Sequence, residues 1–468
     1  MIGRLAVRSL TAHPVRSGVL AAGFGVGVAV MAILLGVAEI VLEQSRAPAL
    51  VGGGDVVLRL GPYVPAQLVL AGSLQSDAIR PRVRVASPSH ATTLYLMHDG
   101  RTSRVRARGG IPSLERSLGD RETGAAAAWR DSPADTEWAQ SNPEKVLRYI
   151  DRFSAIPDAP AWEASWAEWL YFNGRAPGAR FYLTFLVGPK TPDGLRDASV
   201  RLQLDRGKGP ENFDTRVPIS EAAALAAPDL AIGDSSVRLE GMRYRIHLQL
   251  AGRNGQRVVG DLTVAASPGQ LFPRAEFSGA RGWKTGYVVP VMSGALQGML
   301  SVDGERISLD GGVGYHDHNW GFWKGMSWRW GQLQHDDVSI LYGRIFPPPE
   351  AADPSRLPGF LGVVGPLGPL AYTTNVTIAE EDDARGQPRT ILVTGRGGDV
   401  DLRLRFNVDS ITRTEGTSTT GAGAAGLEVL ASRLDFFQLR GTYSVTGRAG
   451  GRRFDFNASG SAETFRGE

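Results

Sequence analysis

The sequence predicts a mainly β protein, with two antiparallel β-barrels behind one N-terminal membrane helix and a small β-rich segment. Three observations predict it. Glycine fills 59 of 468 positions and proline 28, a supply of turn formers that suits short strands joined by tight turns. From residue 160 onward, short stretches alternate apolar and polar residues and are separated by turn sequences such as Asp303-Gly304. Residues 17–38 carry no charge, and as a helix they would span about 33 Å, enough for a bilayer core. Hydrophobic residues make up 42% of the chain and charged residues 21%, so it is built to fold and not to stay disordered.

The N-terminal helix comes first in the chain. Arg4, Arg8 and Arg16 precede it, and Glu39 and Glu43 follow it, which places the N-terminus in the cytoplasm and the bulk outside. A cleaved signal peptide ending at Gly36-Val37-Ala38 is the rival reading, and both export everything after residue 45. Gly23 and Gly27 would let another membrane helix approach closely. Next come strand-like stretches at Asp55–Leu60, Arg82–Ala86, Thr92–Met97 and Ser103–Ala107, each with one wet face. Residues 121–160 read as a linker with a short helix at Pro143–Phe153.

Strands then dominate: Arg180–Gly188, Ser199–Leu204, Ser236–Glu240, Arg243–Leu250, Val258–Ala265, Gly294–Val302 and Glu305–Leu309. After the Pro-rich break Pro347–Pro358 they resume at Thr373–Ile378, Thr390–Val393, Asp399–Val408, Leu434–Tyr443 and Phe454–Ala458. Gly416–Gly426 is a low-complexity loop.

Composition excludes several functions. The chain has no cysteine, so thiolate catalysis, disulfides and Cys-ligated metals are ruled out. The net charge is only +3, and the basic run Arg101, Arg104, Arg106, Arg108, Arg116, Arg121 has no interleaved aromatics, which argues against a nucleic-acid partner. That run reads as a solvated strand edge or a lipid-headgroup surface. No cofactor is expected.

The chemistry concentrates in one stretch. Three of seven histidines fall between residues 316 and 335, and four of ten tryptophans between 320 and 330. On a strand, Tyr315, Asp317 and Asn319 would share one face, and His316, His318 and Trp320 the other. Three readings are open. His316 and His318 could ligate a metal with His335, Asp336 or Asp337 as the third ligand. The run could be wholly structural, its buried polar groups bonded to one another. Or Asp317 could sit in an aromatic pocket that raises its pKa and makes it a proton donor, oriented by Tyr315 and Asn319. Trp328, Trp330, Trp169 and Tyr171 would help to line such a pocket, which suits a large hydrophobic ligand.

Two stretches resemble known families. Leu5-Ala6-Val7-Arg8-Ser9-Leu10, His13-Pro14-Val15-Arg16-Ser17 and Gly53-Gly54-Asp55-Val56-Val57-Leu58 resemble the first membrane segment and following domain of FtsX/MacB-type ABC exporter permeases, over residues 1–120. No second long apolar run follows, so the chain is not a complete permease. Glu168-Trp169-Leu170-Tyr171-Phe172-Asn173-Gly174, Tyr315-His316-Asp317-His318-Asn319-Trp320-Gly321 and Ala462-Glu463-Thr464-Phe465-Arg466-Gly467 are similar to the carotenoid 1,2-hydratase (hydroxyneurosporene synthase) and AttH-like superfamily, over residues 155–468. That resemblance implies two tandem lipocalin-like barrels, 156–285 and 286–468, after an anchor at 1–45 and a permease-like segment and linker at 46–155. It also implies that Asp317 matches the acid that protonates an alkene in the hydratases, with Tyr315 beside it. Gly286-Tyr287-Val288-Val289-Pro290 lacks the His-x-Trp expected there in hydratases.

The expected function is therefore a membrane-anchored AttH-like barrel protein of the bacterial cytoplasmic membrane, with its bulk in the periplasm. It would bind a lipid or isoprenoid-like ligand beside an ABC exporter, through His316, His318, Asn319, Trp320, Trp328, Trp330, Trp169 and Tyr171. The alternatives are a hydratase, isomerase or cyclase using Asp317 as general acid, and a structural or docking protein.

Overall fold

The computed structural model describes residues 80–98, 101–120, 143–252, 255–267, 270–366, 368–415 and 434–467, with scattered positions before residue 143. The expected strand Asp55–Leu60, the loop Gly416–Gly426 and most of the expected anchor lie outside the described residues. Among the described residues no helix is long and apolar enough to cross a membrane. The described positions between residues 14 and 31 have helical backbone and expose Val15, Val19, Phe24, Val26, Val28, Val30 and Met31.

The chain divides into two compact units. The smaller contains the hairpin Ser89–His98/Arg101–Gly110 and the short helix Pro112–Ser117. Arg108 from the hairpin is not a free surface cation: it pairs with Glu115 and Asp120, both buried. Arg82–Ala86 was expected as a strand, but Pro81 cannot donate to a ladder, and Arg80–Arg82 forms a turn of 3-10 helix.

The larger unit holds two sheets. The first contains a closed eight-stranded barrel. Around the barrel the strands are Arg257–Ala265, Lys284–Val302, Gly312–Phe322, Trp166–Ala176, Ala179–Lys190, Arg196–Asp205, Pro210–Arg216 and Arg243–Gly252, the last pairing back onto the first. Strict alternation of buried and exposed residues along Tyr244–Leu250 fills the interior, as the period of a strand requires. The helix Pro143–Ile150 buries Val146, Leu147 and Ile150 in this core. The strand Lys284–Val302 begins ten residues before the expected Gly294, because residues 285–294 are buried on both faces and lack alternation.

The second sheet has nine strands in the order Gly368–Thr373, Phe360–Gly365, Val338–Phe346, Ser327–His335, Arg452–Gly467, Leu434–Ala449, Val400–Glu415, Pro388–Gly397 and Val376–Asp382. It does not close into the second barrel that was expected. Its two end strands are consecutive in sequence, yet a corner separates them. Thr373 Oγ1 donates to the Arg396 carbonyl at 2.6 Å and accepts from the Asn375 amide at 3.1 Å, so no hairpin forms there. The break between the sheets falls between Phe322 and Ser327, not at 285/286, since Lys284–Val302 and Gly312–Phe322 complete the first barrel.

Candidate active site

The strand Gly312–Phe322 lies in the barrel wall between Lys284–Val302 and Trp166–Ala176. Residues 314–318 are buried on both faces, one face toward the barrel interior and the other toward the second sheet. The alternation expected from sequence divides the motif accordingly.

His316, His318 and Trp320 point into the barrel core. His316 stacks on Phe172 at 4.1 Å and meets Tyr244 at 4.5 Å. Its Nδ1 is 2.9 Å from the Tyr171 carbonyl and its Nε2 3.0 Å from Asp151 Oδ2. His318 lies 3.3 Å from Asp151 Oδ1 through Nδ1 and 3.0 Å from Glu168 Oε1 through Nε2. Glu168 also accepts the Ser154 amide at 3.2 Å. Burial pushes the Asp151 carboxyl up, but the charges and hydrogen bonds of His316 and His318 outweigh it and hold it below its ordinary value. Burial would lower the His318 pKa, but Asp151 and Glu168 hold it above its usual value. Both ring nitrogens of His316 and Nε2 of His318 are hydrogen-bonded, while His318 Nδ1 stands 3.3 Å from Asp151 Oδ1 as an ion pair without hydrogen-bond geometry. His316, His318 and Trp320 thus face the barrel core, on the side opposite Tyr315 and Asp317. His335 stacks on Phe456 at 4.0 Å and Asp337 pairs with Arg452, so neither joins His316 and His318. Among the described residues no three His, Asp or Glu side chains converge as a metal site requires.

Tyr315 and Asp317 point the other way, at 3% and 4% exposure. They enter an apolar cluster built by both sheets, with Tyr171, Tyr182, Phe272, Tyr287, Met292, Leu341 and Phe360. Asn319 Nδ2 donates to Asp317 Oδ1 at 2.6 Å, and the Tyr315 hydroxyl also bonds this carboxyl. Trp330 Nε1 donates to Tyr315 Oη at 3.2 Å. Tyr171 is the register partner of Asp317, and its ring lies 6.4 Å from that of Tyr315.

The second sheet supplies Glu463, a residue that the sequence reading did not place in the site. It stands in register with Trp330 on one side and Gln438 on the other, and it hydrogen-bonds Tyr171, Trp328 and Gln438. Burial pushes its carboxyl up to about 7. Burial first, and then the charge of Glu463, push Asp317 well above the carboxylate range. Burial likewise pushes the Tyr171 and Tyr315 hydroxyls well above 10, so both remain protonated donors at neutral pH. Burial is thus the first cause of the upward shift in both carboxyls.

Beside this pair three tryptophans stack in series. Trp169 meets Trp323 at 4.5 Å, Trp323 meets Trp328 at 5.5 Å, and Trp328 stacks on Phe465 at 4.0 Å. A cleft of about 100 Å³ is lined by residues of both sheets, among them Tyr182 and Tyr315. The signal that could have revealed Glu463 is its position among apolar and small residues, Ala462, Thr464 and Phe465, where a solvated acid has no place.

Fold and site together define a β protein with two raised carboxyls, the buried Asp317 and the part-buried Glu463, one from each sheet, at an aromatic cluster. Comparison with protein-family models and with curated proteins gives no match. Among solved structures, the chain is similar to an AttH protein from Nitrosomonas europaea, at 15% identity over 64% of this chain and 92% of that one, with a TM-score of 0.42. It is also similar to CghA, at 12% identity over 68% and 95%, with a TM-score of 0.43. Kievitone hydratase from Nectria haematococca is a third, at 14% identity over 67% and 95%, with a TM-score of 0.42. These matches lend no support to the exporter-permease likeness of residues 1–120.

Proposed function

We propose that this chain is an acid–base enzyme that protonates a carbon–carbon double bond of a hydrophobic substrate, as a hydratase or an isomerase or cyclase does. The observation that carries the reading is the pair Asp317 and Glu463, one from each sheet, with burial raising both carboxyls, Asp317 well above the carboxylate range and Glu463 to about 7. Asp317 gives its carboxyl proton to one alkene carbon. The π pair forms the new C–H bond, and the neighbouring carbon becomes a cation. The rings of Tyr171, Tyr287, Tyr315 and Trp330 line the site with π faces that favour such a cation. For hydration, a water oxygen bonds to that carbon while the Glu463 carboxylate takes a proton from the water. Return of this proton to Asp317 completes the cycle, for a net gain of one water. For isomerisation, Glu463 removes a neighbouring C–H proton instead.

The test uses the full chain with a lipid extract of its native host in ¹⁸O-labelled water. Label should enter a hydrophobic product, and Asp317→Asn should abolish it without loss of fold. The rate should rise as Glu463 loses its proton through pH about 7 and fall at higher pH as Asp317 ionises. Unchanged labelling by Asp317→Asn would sink the reading.

One observation favours the second reading, a binding protein: Tyr182 and Tyr315 line the cleft and Asp317 does not. In that case a hydrophobic molecule co-purifies with both forms, and neither alters it. A membrane tether for either function is supported by the uncharged stretch 17–38 and by the exposed apolar helical positions between Val15 and Met31. An exporter partner has the sequence resemblance as its support.

A further inference from the structure

The cleft between the sheets is lined by three arginines as well as by aromatic and apolar residues. Arg175 and Arg180 face each other in register across the hairpin Trp166–Ala176/Ala179–Lys190, and both line the cleft. Like charges directly opposed on antiparallel strands destabilise the pairing. Arg440 reaches the same cleft from the second sheet. Its Nη1 donates to Asp205 Oδ2 at 3.0 Å and its Nε to Tyr182 Oη at 3.4 Å. Asp205 thus serves Arg440, although its own register partner is Arg180. Among the described residues neither Arg175 nor Arg180 has an ion pair. Burial, then Arg440, then Arg175 draw the Arg180 guanidinium below its ordinary value. Three guanidiniums thus meet one carboxylate. Tyr182, Met292 and Tyr315 also line the cleft, and all three belong to the apolar cluster that both sheets build.

We propose that the cleft takes a substrate with an anionic group, carboxylate or phosphate, on an unsaturated apolar body. The anion lies against Arg175, Arg180 and Arg440, and the body lies against Tyr182 and Met292 beside Tyr315. This names the substrate class for the site above, and it rests on that reading only in taking the cleft as the way in. An anion supplies the charge that the two opposed arginines lack, and a guanidinium fork matches the two oxygens of a carboxylate or phosphate. Forks from both sheets on one anion would also hold the body in a single orientation relative to the acid pair.

The test is calorimetric titration of the full chain with octanoate, octyl phosphate, octanol and inorganic phosphate. At least one octyl anion should bind about tenfold or more tighter than octanol, and the preference should shrink as salt rises. The stronger of the two anions identifies the headgroup. Arg175→Gln with Arg180→Gln should erase the preference and leave octanol binding unchanged. The melting temperature of this variant should not fall, since a like-charge pair is removed. Equal affinity for octanol and both anions in the native chain would overturn the proposal, as would a preference that survives in the double variant. Inorganic phosphate binding as tightly as octyl phosphate would also overturn it, in favour of a small-anion site. Asp317→Asn should leave all of these affinity ratios unchanged, so failure of the acid chemistry and failure of the anion site are told apart.

Discussion

At the residue scale, Glu463 and Asp151 illustrate opposite consequences of burying a carboxyl. Glu463 has its folded pKa near 7, above its unfolded value of about 4.3. The folded state therefore binds that proton more tightly, and the stability this contributes is full below pH about 4.3 and lost as pH rises through about 7. With allowance for its partial exposure, the loss is about 2 kcal/mol. Glu463→Gln keeps the shape without the titration. Urea unfolding at pH 5 and pH 8 should show the variant gaining about 2 kcal/mol on the native chain between those values. Asp151 is held below its ordinary value by His316 and His318. Its contribution is present above its unfolded value near 4 and is lost as pH falls. Asp151→Asn leaves two buried histidines short of a counter-charge, and should cost about 3 kcal/mol at neutral pH in the same measurement. Asp317 and Asp151 differ in how they could be read from the sequence. The parity that separates Asp317 from His316 is local to one strand, and it is visible in the sequence. The partners are not: Asp151 lies 165 positions from His316, and no periodicity connects them.

At the element scale, the helix Pro143–Ile150 was legible because its apolar positions recur at helical spacing and Pro143 suits a first turn. That its apolar face belongs to the barrel core was not. Leu147, 1% exposed, is its deepest residue. Leu147→Ala should destabilise the fold by about 3 kcal/mol and should also loosen Asp151, four residues on. Hydrogen exchange at the His316 and His318 amides would report this as faster exchange than in the native chain, and unchanged protection would show that the helix does not hold the histidine cluster. The strand Lys284–Val302 was half legible. Its outer part alternates and was found, while its inner part, covered on both faces, reads as an unbroken apolar run that carries no strand period.

At the scale of the whole molecule, two sheets of different closure share one site. A closed barrel has no free edges, whereas the nine-stranded sheet keeps two. The full chain should stay with membranes through a carbonate wash, and deletion of residues 1–45 should release it. Release of the intact full-length chain would remove the tether from the proposal.

The sequence by itself determined the mainly β class, most strand positions, the hydrophobic stretch at 17–38 and the two faces of the motif at 315–320. All of these follow from local spacing, which a strand or helix converts directly into a face. Only the tertiary structure decided that the second sheet stays open, that the histidines are locked to Asp151 and Glu168, and that Glu463 joins Asp317. Closure depends on whether two distant edges meet, and a pKa depends on which charges burial brings close, and neither distance is written in the order of the residues.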